Sequence, residues 1–405
     1  MSAIANSQSP ALTLARPALV PAILIAAGGS HFLNDLLQSL LTSIYPLLKV
    51  HFSLSFTEIG LISLVFQLTA SILQPLVGAY TDKHPMPFSA SIGMVSSLAG
   101  LVLLAFAPSY PLLLLAAAMV GVGSAIFHPE AARMARAASG GRFGLAQSLF
   151  QVGGNLGSAV GPLLAAIIIV PRGQGAVLDF IVVPMAAMAV LYFVGRWYSS
   201  HLVAQPKRQD AGGASLFEPQ ILRALGILLA LIFSKFFYMA AIGTFYTFYL
   251  INKFQVPVQE AQIYLFVFLG AVAFGTFIGG PAGDRYGRRK VIWASILGVL
   301  PLTLALPHAN LPWTLALSVG IGLVLSSAFS AIVVYAQELV PGRVGTVSGL
   351  FFGFAFGMGG LGAALFGLLA DATSVDFVFK VSAFLPAIGL LTYFLPRTGR
   401  DLVRG

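Results

Sequence analysis

Runs of about twenty apolar residues recur along the whole chain, broken by short segments rich in polar residues, glycine and proline. A helix crossing the apolar core of a bilayer needs roughly 20 such residues, and the pattern predicts twelve spans. The first six cover 19–47, 57–80, 87–107, 110–132, 143–170 and 176–196, and the last six cover 220–250, 259–281, 290–307, 312–336, 344–370 and 376–396. The longest polar interval, 197–219, falls between the two sets. It reads as a cytoplasmic linker between an N-terminal bundle (19–196) and a C-terminal bundle (220–396), with tails at 1–18 and 397–405. The expected fold class is an all-α membrane protein with twelve transmembrane helices in two six-helix bundles.

Composition agrees with that reading. Of 405 residues, 58% are apolar and only 9% are charged, against about 25% charged in soluble domains. So few charges cannot coat a water-facing surface. The net charge of +9 would suit a nucleic-acid partner, but the basic residues sit in short loops between spans, as membrane topology requires. With both termini inside, seventeen of the 22 Lys and Arg residues lie on the cytoplasmic side and only Lys49, Arg172 and Lys253 lie outside, while Lys235 and Lys380 stay within spans. The first eighteen residues carry one Arg and no cleavable-signal pattern, so they are expected to be a short cytoplasmic tail ahead of an uncleaved insertion helix. The absence of Cys removes disulfides, thiol chemistry and thiolate metal sites. No His-Glu-x-x-His, Gly-x-Ser-x-Gly or Walker loop occurs. A membrane-embedded enzyme and an ATP-driven pump are therefore disfavoured, no catalytic or metal-ligating set is expected, and nothing resembles a channel filter.

The two halves repeat. Gly78-Ala-Tyr-Thr-Asp82-Lys83 follows the second span, and Gly280-Pro-Ala-Gly-Asp284-Arg285-Tyr-Gly287-Arg288-Arg289 follows the eighth, offset by 202 residues. Arg142-Phe-Gly144 and Arg343-Val-Gly345 precede the fifth and eleventh spans, offset by 201. Parallel six-helix repeats are a recurrent transporter plan, with the substrate site at their interface near the bilayer midplane. The segment from Gly280 to Arg289 resembles the loop signature of the major facilitator superfamily, and 78–83 its degenerate first-half copy. In the fifth span, Gly157-Ser-Ala-Val-Gly161-Pro162 resembles the packing motif of that superfamily's drug/proton antiporters, with Ala165 and Ala166 in place of its trailing glycines. The fourth span departs from the antiporter pattern by carrying Ala117 where an Arg is usual. A closer resemblance, to antibiotic-resistance exporters, rests on His31-Phe-Leu-Asn-Asp35, on Phe127-His128-Pro129-Glu130-Ala131 and on the run from Gln337-Glu338 to Gly360. The resemblance implies a monomeric transporter in the bacterial inner membrane, exporting small anionic or amphiphilic drugs in exchange for protons. The proton gradient would be its energy source and no cofactor would be needed. A facilitator or symporter for an organic anion or metabolite is the alternative on the same fold.

Ionisable groups inside a span cost roughly 2.5–3.5 kcal/mol each and usually face a bundle interior or a watery cavity. Here they cluster on the first, fourth, seventh and tenth spans, which the resemblance places around the central cavity. His31, Asp35, Gln38 and Thr42 recur at intervals of four, three and four, one helical stripe that also brings Asn34 nearby. Asp35 is the leading proton carrier, with His31 able to share the proton. His128 and Glu130 are a candidate gate or second proton site, with an ion pair from Glu130 to Arg133 as the structural alternative. Lys235 lies one residue from the position equivalent to Asp35 in the second half, which suggests a charge pair across the cavity that a substrate anion could compete for. Phe236, Tyr238 and Tyr246 are candidate walls for an apolar cargo, and Lys235, Asn34 and Gln38 are candidate polar contacts to it. Asp82 and Asp284, with Arg285, Arg288, Arg142, Arg343 and Glu338, are candidate conformational latches. Gly157, Gly161 and Pro162, like glycines 349, 353 and 357 in the eleventh span, are expected to serve close helix packing.

Overall fold

In lipid every backbone polar group must be satisfied within the segment, so a chain of apolar runs folds as helices. The computed structural model describes residues 19–140, 142–203, 218–340 and 344–396, and in that range it is helical almost throughout. Span 1 is Pro21–Ser43, followed by a short helix Tyr45–His51, and spans 2 to 5 begin at Phe56–Lys83, Ser89–Phe106, Tyr110–Ala137 and Phe143–Leu164. Span 5 continues past Pro162 into a π turn at Ala165–Ile169, and span 6 opens as a 3-10 turn, Gln174–Ile181, before Val182–Val203. In the second half, span 7 is Pro219–Phe254 and span 8 is Val258–Tyr286. Span 9 is broken between Arg288–Ile296 and Leu300–Ala305, and span 10 between Leu311–Ser326 and Ala328–Leu339. Span 11 is Val344–Ala372, and span 12 is Val375–Ser382 with a 3-10 continuation, Leu385–Phe394.

Eleven of these spans are long and apolar enough to cross a membrane by length and composition. Span 1 falls outside that set because its polar stripe lowers its hydropathy. The outer faces carry large apolar side chains that no helix covers, such as Leu76 at 61% and Phe106 at 66% exposure. An apolar exterior of that extent is suited to lipid rather than water.

The halves meet along two seams. Span 2 packs on span 11, and span 5 packs on span 8. The first seam is tight toward the end of the bundle where span 1 finishes. An added Cβ at Gly60 would lie 2.4 Å from the Ala363 carbonyl, and one at Gly367 would lie 2.5 Å from the Phe56 carbonyl. Toward the other end the seam loosens. Gly357 and Gly353 have only Ser71 atoms at 3.2 and 3.6 Å, and Gly349 meets nothing within 4 Å. Gly357 keeps the close approach expected of it, toward Ser71, while Gly353 and Gly349 do not, and the tighter contacts of this seam fall at Gly60, Gly359 and Gly367, nearer the convergent end. Ser71 Oγ still donates to the Gly353 carbonyl at 2.6 Å.

The convergent end is also sealed by polar contacts between halves. Asp371, at the end of span 11, accepts from the backbone N–H of Phe56 at 2.9 Å and of Thr57 at 2.7 Å, and from the Thr57 hydroxyl at 2.6 Å. Buried Gln262 of span 8 donates to the Ser43 carbonyl at 2.5 Å. The Phe56 ring meets Phe245 and Phe248 of span 7 edge to face.

Candidate functional site

Helical spacing turns the polar residues of span 1 to one side, and the structure gathers them around one carboxylate. Asp35 Oδ1 accepts from Asn34 Nδ2 at 2.9 Å and from Gln38 Nε2 at 3.1 Å. His31 Nε2 lies 3.3 Å from Asp35 Oδ2. From span 4, His128 Nε2 lies 3.7 Å from Oδ1. His31, Asn34 and His128 are buried, while the Asp35 side chain keeps 17% exposure. The His31 ring stacks on Phe150 of span 5 at 4.0 Å and meets the His128 ring edge-on at 5.0 Å.

Hydrogen-bond accounting fixes the ring orientations. His31 Nδ1 lies 2.7 Å from the Phe150 carbonyl oxygen, and His128 Nδ1 lies 2.9 Å from the Ser124 carbonyl oxygen. A carbonyl oxygen can only accept, so His31 Nδ1 donates; His128 Nδ1 also lies 3.1 Å from the Ser124 hydroxyl, and a proton on Nδ1 is the arrangement that satisfies both the hydroxyl oxygen and the closer carbonyl. Each ring is left with Nε2 to face the carboxylate. In the neutral ring that nitrogen is a lone pair, and two lone pairs then point at one acceptor group. A proton on Nε2 turns the contact into a charge-assisted hydrogen bond.

Gly154 of span 5 closes this group from the side. A Cβ there would lie 2.5 Å from His31 Nε2 and 2.7 Å from Asp35 Oδ2. Sequence reasoning passed over this residue, although the adjacent pair Gly153-Gly154 was a visible signal. The motif glycines seat span 5 on span 1 as expected. An added Cβ at Gly157 would lie 2.1 Å from the Phe32 carbonyl, and one at Gly161 would lie 1.8 Å from Ser39 Oγ. Pro162 lies inside the helix just before the π turn.

Glu130 does not join the cluster. Two residues from His128, it points elsewhere, and its fully buried carboxylate pairs with Arg133 at 2.8 Å. Arg133 also donates to the Gly78 carbonyl at 3.3 Å, tying span 4 to the end of span 2. Among the described residues Asp35 and Lys235 form no direct ion pair. Asp35 is engaged by groups of its own half, and buried Lys235 donates to the Ser326 carbonyl at 3.4 Å. Its ammonium lies 5.6 Å from the Phe236 ring centre and 5.5 Å from that of Phe329. Among the described residues no acid pairs with it. Tyr238 and Tyr246 are buried inside the packing of the second half, Tyr246 between Phe268 and Phe379.

Of the latch candidates, Arg288 pairs with Glu338 at 3.1 Å, joining the start of span 9 to the end of span 10. The Arg285 guanidinium lies over the Tyr286 ring, and Arg142 is exposed at the start of span 5. The side chains of Asp82 and Asp284, and all of Arg343, lie outside the described residues.

Two helical halves around buried charges match known proteins over nearly their whole length. The Major Facilitator Superfamily matches residues 27–257 and 228–404. The chain belongs to this superfamily. It is 60% identical to the fosmidomycin resistance protein of Escherichia coli (strain K12), with 92% of each chain covered. It is 44% identical to an uncharacterised MFS-type transporter of Bacillus subtilis (strain 168), again over 92% of each. Among solved structures it resembles a bacterial homologue of the human lysosomal transporter Spinster in an inward-facing, occupied conformation, with a TM-score of 0.70, 18% identity and coverage of 92% and 94%. It also resembles the nucleoside transporter NupG, with a TM-score of 0.70, 15% identity and coverage of 93% and 100%. These two likenesses concern the fold. The chain is thus a multi-pass membrane transporter, a close homologue of the fosmidomycin resistance protein, and its family is one of transporters and not of enzymes.

Proposed function

We propose that this transporter exports small anionic drugs such as fosmidomycin from the cytoplasm, in exchange for protons, by alternating access. One observation carries the coupling: His31 and His128 present Nε2 to the single carboxylate of Asp35 with both Nδ1 atoms tied to backbone carbonyls. Asn34 and Gln38 steady that carboxylate. Lys235, with aromatic Phe236 beside it, is the seat for the anionic end of the cargo. It is buried, and among the described residues its one hydrogen bond goes to a backbone carbonyl. A bound anion would neutralise a charge that is costly in the membrane. A proton on the cluster and an anion at Lys235 each favour a different opening of the same pair of halves, and that differential is what exchange requires.

The excess of Lys and Arg near the splayed end supports an orientation with that end and both termini in the cytoplasm of the inner membrane. On this reading Asp371 seals the periplasmic side, and drug enters from the cytoplasm. Asp82 and Asp284, with the basic residues of their loops and the Arg288–Glu338 pair, would hold the cytoplasmic side shut in the opposite state, and Glu130 with Arg133 would support that gate. The working unit is a monomer in the bilayer, without a cofactor.

Everted membrane vesicles holding an imposed pH gradient test the proposal. Adding fosmidomycin should collapse the gradient with the wild-type chain, and Asp35→Asn should abolish the effect while the protein still inserts and folds. Lys235→Gln should raise the half-saturating drug concentration by at least tenfold, about 1.4 kcal/mol. Undiminished proton movement with Asp35→Asn would remove the cluster from the mechanism. Metabolite uptake without proton movement would instead establish a facilitator.

A further inference from the structure

The groups around Asp35 also form a ligand set. His31, Asp35 and His128 each offer one ligand atom, and these atoms all lie within 4.8 Å of one another. We propose that they bind a divalent transition-metal ion of the zinc type, and that the bound ion arrests the transporter. The binding claim stands on geometry alone, while the arrest rests on the reading of this cluster as the proton site.

Tetrahedral zinc holds nitrogen and oxygen ligands at about 2.0–2.2 Å, which sets neighbouring ligand atoms about 3.3–3.6 Å apart. The two histidine nitrogens approach different oxygens of the carboxylate, His31 Nε2 at 3.3 Å from Asp35 Oδ2 and His128 Nε2 at 3.7 Å from Asp35 Oδ1, and one ligand atom from each residue lies within 4.8 Å of the others. Loading the site would draw these side chains together around the ion. Each imidazole donates its other N–H to a backbone carbonyl, at 2.7 and 2.9 Å. This is the outer-shell arrangement that orients metal-binding histidines and raises their basicity. Asn34 and Gln38 hold the carboxylate in the same way. Two imidazoles and one carboxylate suit zinc, nickel or copper, and suit magnesium or calcium poorly. The chain has no Cys to compete for the ion. An ion held by spans 1 and 4 fills the lone pairs that would otherwise take a proton, and it pins two helices to one spacing.

The test uses the purified full chain in detergent, titrated with zinc chloride by calorimetry. We expect one ion per chain and no heat with magnesium chloride. His128→Ala should weaken the zinc affinity by roughly tenfold or more. Zinc should raise the melting temperature of the wild type, as a ligand of the folded state must, with chelator reversing the rise and Asp35→Asn abolishing it. Affinity unchanged in both variants, or no binding by the wild type, overturns the site. In the vesicle assay zinc should block gradient collapse and chelator should restore it. Transport that continues with zinc bound overturns the arrest. A chain that binds zinc at these residues but never moves protons keeps the metal site and defeats the exporter reading, so the two failures are told apart.

Discussion

At the scale of single residues, Asp35 shows how much an environment is built rather than inherited. Its stripe-mates His31 and Gln38 were legible from spacing. His128 was visible as an unusual polar residue in span 4, but sequence alone did not choose between it and Glu130. The fold chooses by rotation: two residues along a helix differ by about 200°, so one faces Asp35 and the other faces Arg133. Gly154 is the least conspicuous member of the site and one of the most constrained. Gly154→Ala should overpack the His31–Asp35 contact at a cost of roughly 1–3 kcal/mol. The expected result is slowed export and a lowered melting temperature. Gly243→Ala in span 7, where an added Cβ meets nothing within 4 Å, should change neither. Equal losses in the two variants, measured by drug-driven proton flux and thermal melting, would discount the close approach as the reason for the glycine.

At the scale of elements, the start of span 2 shows local and distant contributions side by side. Four N–H groups at a helix start lack intrahelical partners. A capping box supplies two local bonds: Ser55 N–H donates to Glu58 Oε2 at 2.8 Å and Glu58 N–H donates to Ser55 Oγ at 3.1 Å. The N–H groups of Phe56 and Thr57 are instead satisfied by Asp371, 314 residues or more away in the other half. The carboxylate also complements the positive end of the helix dipole. Losing such a cap costs about 0.5–2 kcal/mol, and because the cap spans the halves the cost falls on the state closed at this end. Asp371→Ala should therefore favour opening there. In this Cys-free chain, a cysteine replacing buried Gln262 should react with a membrane-impermeant maleimide roughly 2- to 30-fold faster in the Asp371→Ala background. An unchanged labelling rate would reduce Asp371 to a surface contact.

At the scale of the whole molecule, repeat and asymmetry coexist. The glycines of span 5 at 153, 157 and 161 press on span 1, while the glycines of span 11 with the same four-residue spacing, 349, 353 and 357, lie toward the looser end of the seam with span 2. Equal spacing of small residues does not mean equal use, because one set packs within a half and the other lies on the seam between halves. Orientation belongs to this scale as well. A single cysteine at Ser374, beside the sealed end, should be labelled from outside intact cells, and one at Ser200 only after the membrane is opened. The reverse pattern would invert the topology and the proposed direction of export.

What the sequence determined by itself follows from one-dimensional physics. Twenty apolar residues span a bilayer wherever they occur, loop charges orient it, and a stripe of polar residues at helical spacing must face inward. The twelve spans and the polar face around Asp35 follow from these alone, while the transporter class followed from the internal repeat and the loop motif that resembles the superfamily's. The tertiary structure decided which inward-facing groups meet. It set Asp35 against two histidines rather than Lys235, placed Gly154 over them, and brought Asp371 to span 2. Helices in lipid are apolar on nearly every face, so hydrophobic pattern does not encode their relative rotation and register. Those depend on which small side chains let backbones approach and on where the two halves of the bundle happen to be closed.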